Sequence, residues 1–276
     1  MSAVSHPVVR VPALALPERI DTSWQPAFPE FAAAANAVSL LMPHVEPYVA
    51  RTVRSVQAEL PEPLRSEAAA FVAQELQHQA QHRRLNQRVV AGAPGTARVE
   101  RLAARVYGWL ERTRSTRWSL AFAAGFETSA FALARWSETH LRLLFDGADP
   151  AVSTLFLWHL AEEVEHKSVA FDVFHSVDGS RMRYLIAGLC SLALLGTLTT
   201  LATIVQLWST RRIWSPVAWF RLLRWSISLC FEVLPDLVVS AMPGHHPSQF
   251  SDPALLVQWL ASFDPDTGEN PLLRPA

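Results

Sequence analysis

The sequence predicts an all-α protein, a four-helix bundle that carries a C-terminal apolar helical extension. Three observations support this. Apolar residues recur at helical spacing from Phe31 onward, and no segment shows strand alternation or a hairpin signal. Four helical stretches each carry Glu or His residues on a face that would turn inward. Charge then disappears between residues 184 and 208, about the length a helix needs to cross a bilayer core.

Residues 1–29 contain Pro7, Pro12, Pro17, Pro26 and Pro29, which predict a flexible, extended arm. A short helical piece spans 31–42, and Pro43 and Pro47 predict a restart. Residues 46–60 then carry Val49, Val53 and Val56 until Pro61 and Pro63 stop them. Ser66 is placed to cap a long helix running to about Val90, ended by Ala91-Gly92-Ala93-Pro94-Gly95. A charged helix follows over 98–114. Residues 119–145, rich in Ala, Phe and Leu, predict one helix closed by Asp146-Gly147, and 150–175 another closed by Asp178-Gly179. The bundle is thus expected over residues 30–180, with no repeat of solenoid length.

The extension covers 181–242. Residues 184–208 are flanked by Arg181 and Arg183 on one side and Arg211 and Arg212 on the other, with Trp208, Trp214 and Trp219 where interfacial aromatics belong. This stretch is a candidate transmembrane helix; the alternatives are a buried helix or an oligomer interface, the latter compatible with a homodimer. Residues 216–240 differ, because Arg221, Arg224, Ser228 and Glu232 draw one polar stripe along a helix. That piece is expected to lie on a membrane or on the bundle. Residues 243–276 read as a loop-like tail.

Composition excludes some classes. Half the residues are apolar and 18% are charged, a greasy balance that points toward membrane contact. The net charge of -1, with no basic stripe, argues against a nucleic-acid partner. Cys190 and Cys230 form neither a disulfide framework nor a C-x-x-C pair. The proline-rich start does not resemble a secretory leader. The expected location is the cytoplasm or the cytoplasmic face of the inner membrane.

The chemistry lies in two strings. In Glu75-Leu-Gln-His78-Gln-Ala-Gln-His82, the residues Glu75, His78 and His82 fall within about one-sixth of a helix circumference. In His159-Leu-Ala-Glu162-Glu163-Val-Glu165-His166, the residues His159, Glu163 and His166 share a face, Glu162 lies at its edge, and Glu165 points elsewhere as a solvated charge. Between them Glu127 is the single ionisable group of an apolar helix, and burying it without a partner would cost several kcal/mol. Glu46 supplies a fourth candidate carboxylate, with Glu59 and Glu62 as competitors at the wrong helix end.

Together these make the di-metal carboxylate pattern, one Glu from each of two helices and Glu-x-x-His from each of two others. The expected metal ligands are Glu46, Glu75, His78, Glu127, His159, Glu163 and His166. His82 and Glu162 are expected to take part in catalysis by tuning the site, with His82 as an alternative ligand. The cofactor is two metal ions, iron first, with Mn/Fe or Zn as alternatives.

At these residues the sequence resembles the bacterial family of predicted metal-dependent hydrolases, a ferritin-like group. The resemblance rests on Phe71-Val-Ala-Gln-Glu75-Leu-Gln-His78-Gln-Ala-Gln-His82 with Asn86 following, and on Trp158-His159-Leu-Ala-Glu162-Glu163-Val-Glu165-His166-Lys167-Ser-Val-Ala-Phe171-Asp172. It extends from about Leu41 to beyond residue 208. His159-xxx-Glu163-xx-His166 is also similar to the seven-ligand set of di-iron arylamine N-oxygenases, over the metal site only.

Three functions follow. O₂-dependent oxidation of an apolar small-molecule or lipid-like substrate ranks first, because a Glu/His di-iron site in a bundle suits it. Hydrolysis of an ester or phosphate, which the family name implies, ranks second: two divalent ions can activate a bridging water, but such sites more often use Asp, and no Ser, Lys or Arg is evident for an oxyanion. A non-catalytic metal-binding bundle ranks third.

Overall fold

The computed structural model describes residues 7–270, which form ten α-helices. Among the described residues there is no strand, only an isolated bridge between Asp264 and Glu269. The helices are α1 (Pro29–Arg54), α2 (Leu64–Gly92), α3 (Thr96–Thr113), α4 (Thr116–Thr139), α5 (Leu141–Phe145), α6 (Pro150–Glu165), α7 (Val169–Val177), α8 (Arg181–Ser209), α9 (Pro216–Ser240) and α10 (Ala254–Ser262). Helices α1, α2, α4 and the α6–α7 pair make the four walls of the bundle, and α8 packs across α1 and α4. Phe71, Leu85, Leu120, Phe122, Phe131 and Trp158 fill its core. Each such side chain contributes about 1.5–3 kcal/mol by leaving water.

Several boundaries differ from the sequence expectation. Helix α1 runs without a break through Pro43 and Pro47. Pro43 cannot donate to the Ser39 carbonyl one turn back, and the Asn86 side-chain amide occupies that carbonyl at 2.8 Å instead. Tertiary contact thus satisfies what the proline leaves open. Helix α2 begins at Leu64, and the Glu62 carboxylate, not Ser66, caps it by accepting from the Ser66 N–H and hydroxyl.

Residues 119–145 form two helices, because the chain leaves helical geometry at His140; Ser115 caps the first through the Trp118 N–H. Residues 150–175 likewise divide, with His166 at the C-cap of α6 (φ -108°, ψ 15°). The expected loop-like tail contains α10, whose Leu256, Trp259 and Leu260 are buried and which packs on α6; residues 271–276 lie outside the described residues. The expected flexible arm is extended but packed: Leu14, Leu16, Ile20 and Trp24 are buried in the core, while residues 1–6 are outside the described part. Its end is tied by Trp24 Nε1 donating to Asn36 Oδ1 (2.9 Å), and Asn36 donates to Thr22 O and to Gln206 of α8.

Helices α4 and α8 touch backbone to backbone. A Cβ at Gly125 would sit 2.3 Å from the Gly188 Cα, so only glycine allows this crossing. One turn away the Thr128 and Tyr184 hydroxyls share a 2.8 Å hydrogen bond. This crossing fixes α4 and therefore the depth of Glu127.

Candidate metal centre

The inward faces of α1, α2, α4 and α6 bring Glu46, Glu75, His78, Glu127, His159, Glu163 and His166 together. Two overlapping groups have ligand atoms within 4.8 Å of one another: Glu75, His78, Glu163 and His166, and Glu46, His78 and His159. Glu127 adjoins the first group, its Oε2 lying 3.2 Å from His166 Nδ1. The other ring nitrogen of His166 faces Glu75 at 3.6 Å and Glu163 at 3.9 Å. Glu59 and Glu62 lie at the far end of α1, around the connection to α2, and take no part.

The electrostatics favour cations. The carboxyl groups of Glu46, Glu75 and Glu127 are buried with neither oxygen hydrogen-bonded, and Glu163 Oε2, His78 Nδ1 and both His166 ring nitrogens share that condition. An uncompensated buried charge costs several kcal/mol, more than one large core side chain contributes. Without metal, burial and the neighbouring Glu75 push Glu46 well above the usual carboxylate range, and burial with Glu163 and Glu75 does the same to Glu127. Burial opposes ionisation of Glu163 too, but the adjacent His166 and His159 rings outweigh it and hold Glu163 at about 2. Burial likewise disfavours the charged form of His78, yet the hydrogen bond to Glu162 and the nearby Glu75 carboxylate raise it well above its ordinary value. Divalent ions would relieve all these tensions at once. A donor set of carboxylates and imidazoles, orphaned and convergent, fits them.

Hydrogen bonds fix how the imidazoles present themselves. Asn86 Nδ2 donates to the Ser39 carbonyl, so Asn86 Oδ1 is an acceptor and receives the Ser39 hydroxyl proton at 2.7 Å. Ser39 Oγ must then accept from His82 Nδ1 at 2.8 Å. Burial and the nearby His159 hold His82 far below its ordinary value, so it is neutral and its Nε2 accepts from His159 Nδ1 at 2.7 Å. Burial and His78 keep His159 low as well. Its Nε2 lone pair therefore points at Glu163 Oε1 (2.8 Å) and Glu46 Oε1 (3.5 Å). Three electron-rich atoms face one another there, as around a metal ion.

Both ring nitrogens of His82 are thus occupied by protein partners, and His82 orients His159. Glu162 does the same for His78, accepting from His78 Nε2 at 2.9 Å while Nδ1 faces Glu75 at 3.4 Å. Glu165 is not a solvated charge: its side chain is 4% exposed and receives Arg10, Gln74 and the Val8 N–H. Arg10 also reaches Glu162 at 3.4 Å, so the N-terminal strap closes over the outer side of the α6 ligand string. Lys167 secures the other end of that string, donating to Phe250 O at 2.9 Å and to the Asp252 carboxylate.

Sequence reading did not find Arg10, Ser39 or Lys167 as participants. Asn86 carried a signal, standing one turn after His82 on the same face of α2. Arg10 and Ser39 carried none, because their partners lie far away in the chain.

One approach to the centre is apolar. A cavity of about 70 Å³ is lined by Val38, Met42, Phe126, Leu133, Phe156 and Leu195, with His82, His159 and Glu163 in its wall and with Ser129, whose hydroxyl is committed to the Gly125 carbonyl at 2.9 Å. His159 is the most exposed of the seven convergent residues, its side chain 12% accessible.

No curated protein and no solved structure matches the chain. A family profile described as predicted metal-dependent hydrolase matches residues 8–251. That match begins within the strap that carries Arg10, spans the whole centre and ends beside the loop that holds Lys167. The chain belongs to the family of predicted metal-dependent hydrolases.

Proposed function

We propose that the centre holds two divalent metal ions, with iron as the working metal, and that it oxidises an apolar substrate at the expense of O₂. Bound there, two iron ions would supply the redox chemistry. Glu75, Glu163 and His166 would hold one ion and Glu46 and His159 would face the second, with the free Nδ1 of His78 available to one of the two and Glu127 beside His166. The residues around them set the geometry. Asn86, Ser39 and His82 keep the proton on His159 Nδ1, and Glu162 holds His78 from behind. Met42, Phe126, Leu133 and Phe156 keep water from the His159 side and offer a substrate only apolar contact.

The observation that carries oxidation over hydrolysis is this lining. An ester or phosphate needs donors aimed at its developing oxyanion, and no Lys or Arg lines the cavity, Arg10 and Lys167 being paired with Glu165 and Asp252. Hydrolysis is the second reading, favoured by the family description, because two divalent ions lower the pKa of a bridging water.

The test is anaerobic loading with ferrous iron, metal analysis, and optical spectroscopy on adding O₂. About two irons per chain with O₂ consumption, abolished in Glu127→Ala, support oxidation. Bound zinc or manganese with no O₂ uptake would overturn it, and ester and phosphate hydrolysis would then be assayed.

A further inference from the structure

Helix α9 is built inside out. Three residues of its polar stripe turn toward the protein: Arg221 pairs with buried Glu30 at 2.8 Å, Ser228 accepts from Trp136 Nε1 at 2.8 Å, and Glu232 binds Arg135 at 2.6 Å, while the fourth, Arg224, is exposed at the edge of the opposite side. The opposite side presents Phe220, Leu223, Ile227, Phe231, Leu234 and Val238, all exposed, with Phe231 77% accessible. Their spacing puts them on one side of a helix. A water-facing helix shows the reverse arrangement. Helix α8 also exposes apolar side chains, Met182, Ile186, Leu189 and Leu201. At one end of this face Trp208 and Trp214 lie 6.0 Å apart, next to Arg211 and Arg212. An apolar plane edged by tryptophan and arginine is suited to a bilayer surface. Because α8 and α9 keep one side on the bundle, they would rest on the bilayer and not cross it as a pair.

Directly beneath α9 is a second cavity, about 180 Å³, walled by Phe31, Ala35, Trp136, Phe145, Trp225 and Leu229 among others. Ser226 lines both this cavity and the outer groove of Ile227, Cys230, Phe231 and Leu234. Val38, Leu133, Phe156 and Leu160 line both it and the 70 Å³ cavity at His159. Groove, cavity and metal centre therefore form one series, separated only by side chains.

We infer that this series is a passage for an alkyl chain, which enters from a bilayer under α9 and brings its carbon atoms to the His159–Glu163 edge of the centre. An apolar cavity of this size takes apolar guests, and no charged side chain lines it before the centre itself. Leu133 stands with Val38, Phe156 and Leu160 in the wall of both cavities, so enlarging it narrows the passage between them. The inference deepens the proposed oxidation by naming a long-chain amphiphile as its substrate class, and it rests on that reading only for the chemistry, not for the binding.

The test uses the full chain, as purified and after metal chelation, with two probes: free cis-parinaric acid below its micelle concentration, and phosphatidylcholine/phosphatidylglycerol vesicles. The fluorescent acid should bind in both metal states, and Leu133→Trp and Ala35→Phe should each weaken it about tenfold or more at unchanged helical circular dichroism. The chain should co-sediment with vesicles. Phe220→Glu/Phe231→Glu should abolish co-sedimentation while leaving the free acid bound. No binding of the acid, or equal binding by both plugged variants, would overturn the passage. A dimer that Phe231→Glu dissociates, with no vesicle binding, would show that a second copy covers α9 and would overturn the bilayer as source. Because the acid is read on chelated protein, failure of the metal reading leaves this measurement standing.

Discussion

His82 Nε2 lies 2.7 Å from His159 Nδ1, and that bond decides which nitrogen of His159 is offered to the centre. Replacing His82 by Ala removes the acceptor that holds the His159 proton in place. We expect metal affinity to fall by about 10–100-fold, the usual cost of losing a partner that orients a ligand. Competition with a chelator of known affinity measures it. Ser39→Ala should act in the same direction and more weakly, because His82 keeps its bond to His159. Unchanged affinity in both variants would show that the His159 tautomer is set elsewhere.

Much of this centre is legible in the sequence, and the reason is local. Glu75, His78 and His82, or His159, Glu163 and His166, declare a shared face because helical spacing fixes their relative directions. Glu127 declares itself by being the single charge in an apolar helix. The parts that stayed hidden depend on contacts between distant segments. Nothing in Val8-Val9-Arg10 says that it will meet Glu165, and nothing around Pro43 says that Asn86 will take the carbonyl it leaves free. The polar stripe of α9 is visible in the sequence too, but which way it turns depends on Glu30, Arg135 and Trp136.

The strap offers a stability test. Arg10 is 11% exposed and spans two carboxylates, with Glu165 at 2.9 Å and Glu162 at 3.4 Å. Removing one partner of so enclosed a pair leaves charge without compensation, at a cost of roughly 3 kcal/mol. Arg10→Ala should therefore lower the urea midpoint with little change in the slope. Combining Arg10→Met with Glu165→Gln should recover a large part of the loss, since Glu162, the carboxylate that remains, keeps its bond to His78 Nε2. If the double variant is as unstable as the single one, packing of the strap and not charge is responsible.

The helix crossing provides a matched pair of glycine substitutions. At Gly125 an added Cβ would meet the Gly188 backbone at 2.3 Å, so Gly125→Ala must spread α4 from α8. The expected cost is about 3 kcal/mol. Gly196, on the same helix as Gly188, has nothing within 4 Å of the position a Cβ would take. Gly196→Ala should stabilise by roughly 0.5–1 kcal/mol through helix propensity. Thermal unfolding of the two variants side by side should give shifts of opposite sign. Shifts of the same sign would mean that α4 and α8 do not approach so closely.

The metal-free protein should lose stability as pH rises, and bound metal should reverse that trend. His78 is raised well above its ordinary value, so above about pH 6.5 the folded chain holds a proton that the unfolded chain has released, until the folded imidazole itself loses it. Glu46 and Glu127 are raised well above theirs and act in the same direction until they ionise. A folded state that binds more protons is destabilised as pH increases. His82 and His159 are shifted down, so above about pH 7 they are neutral in both states and contribute no slope. Glu163, held at about 2, is ionised folded and unfolded throughout this window. Metal binding requires these same groups deprotonated, so the stabilising increment from added metal should grow over the same interval. Urea unfolding at several pH values, with chelator and with ferrous iron under argon, separates the two curves. A chelated protein equally stable across this range would mean that Glu46, Glu127 and His78 are not confined as the structure places them.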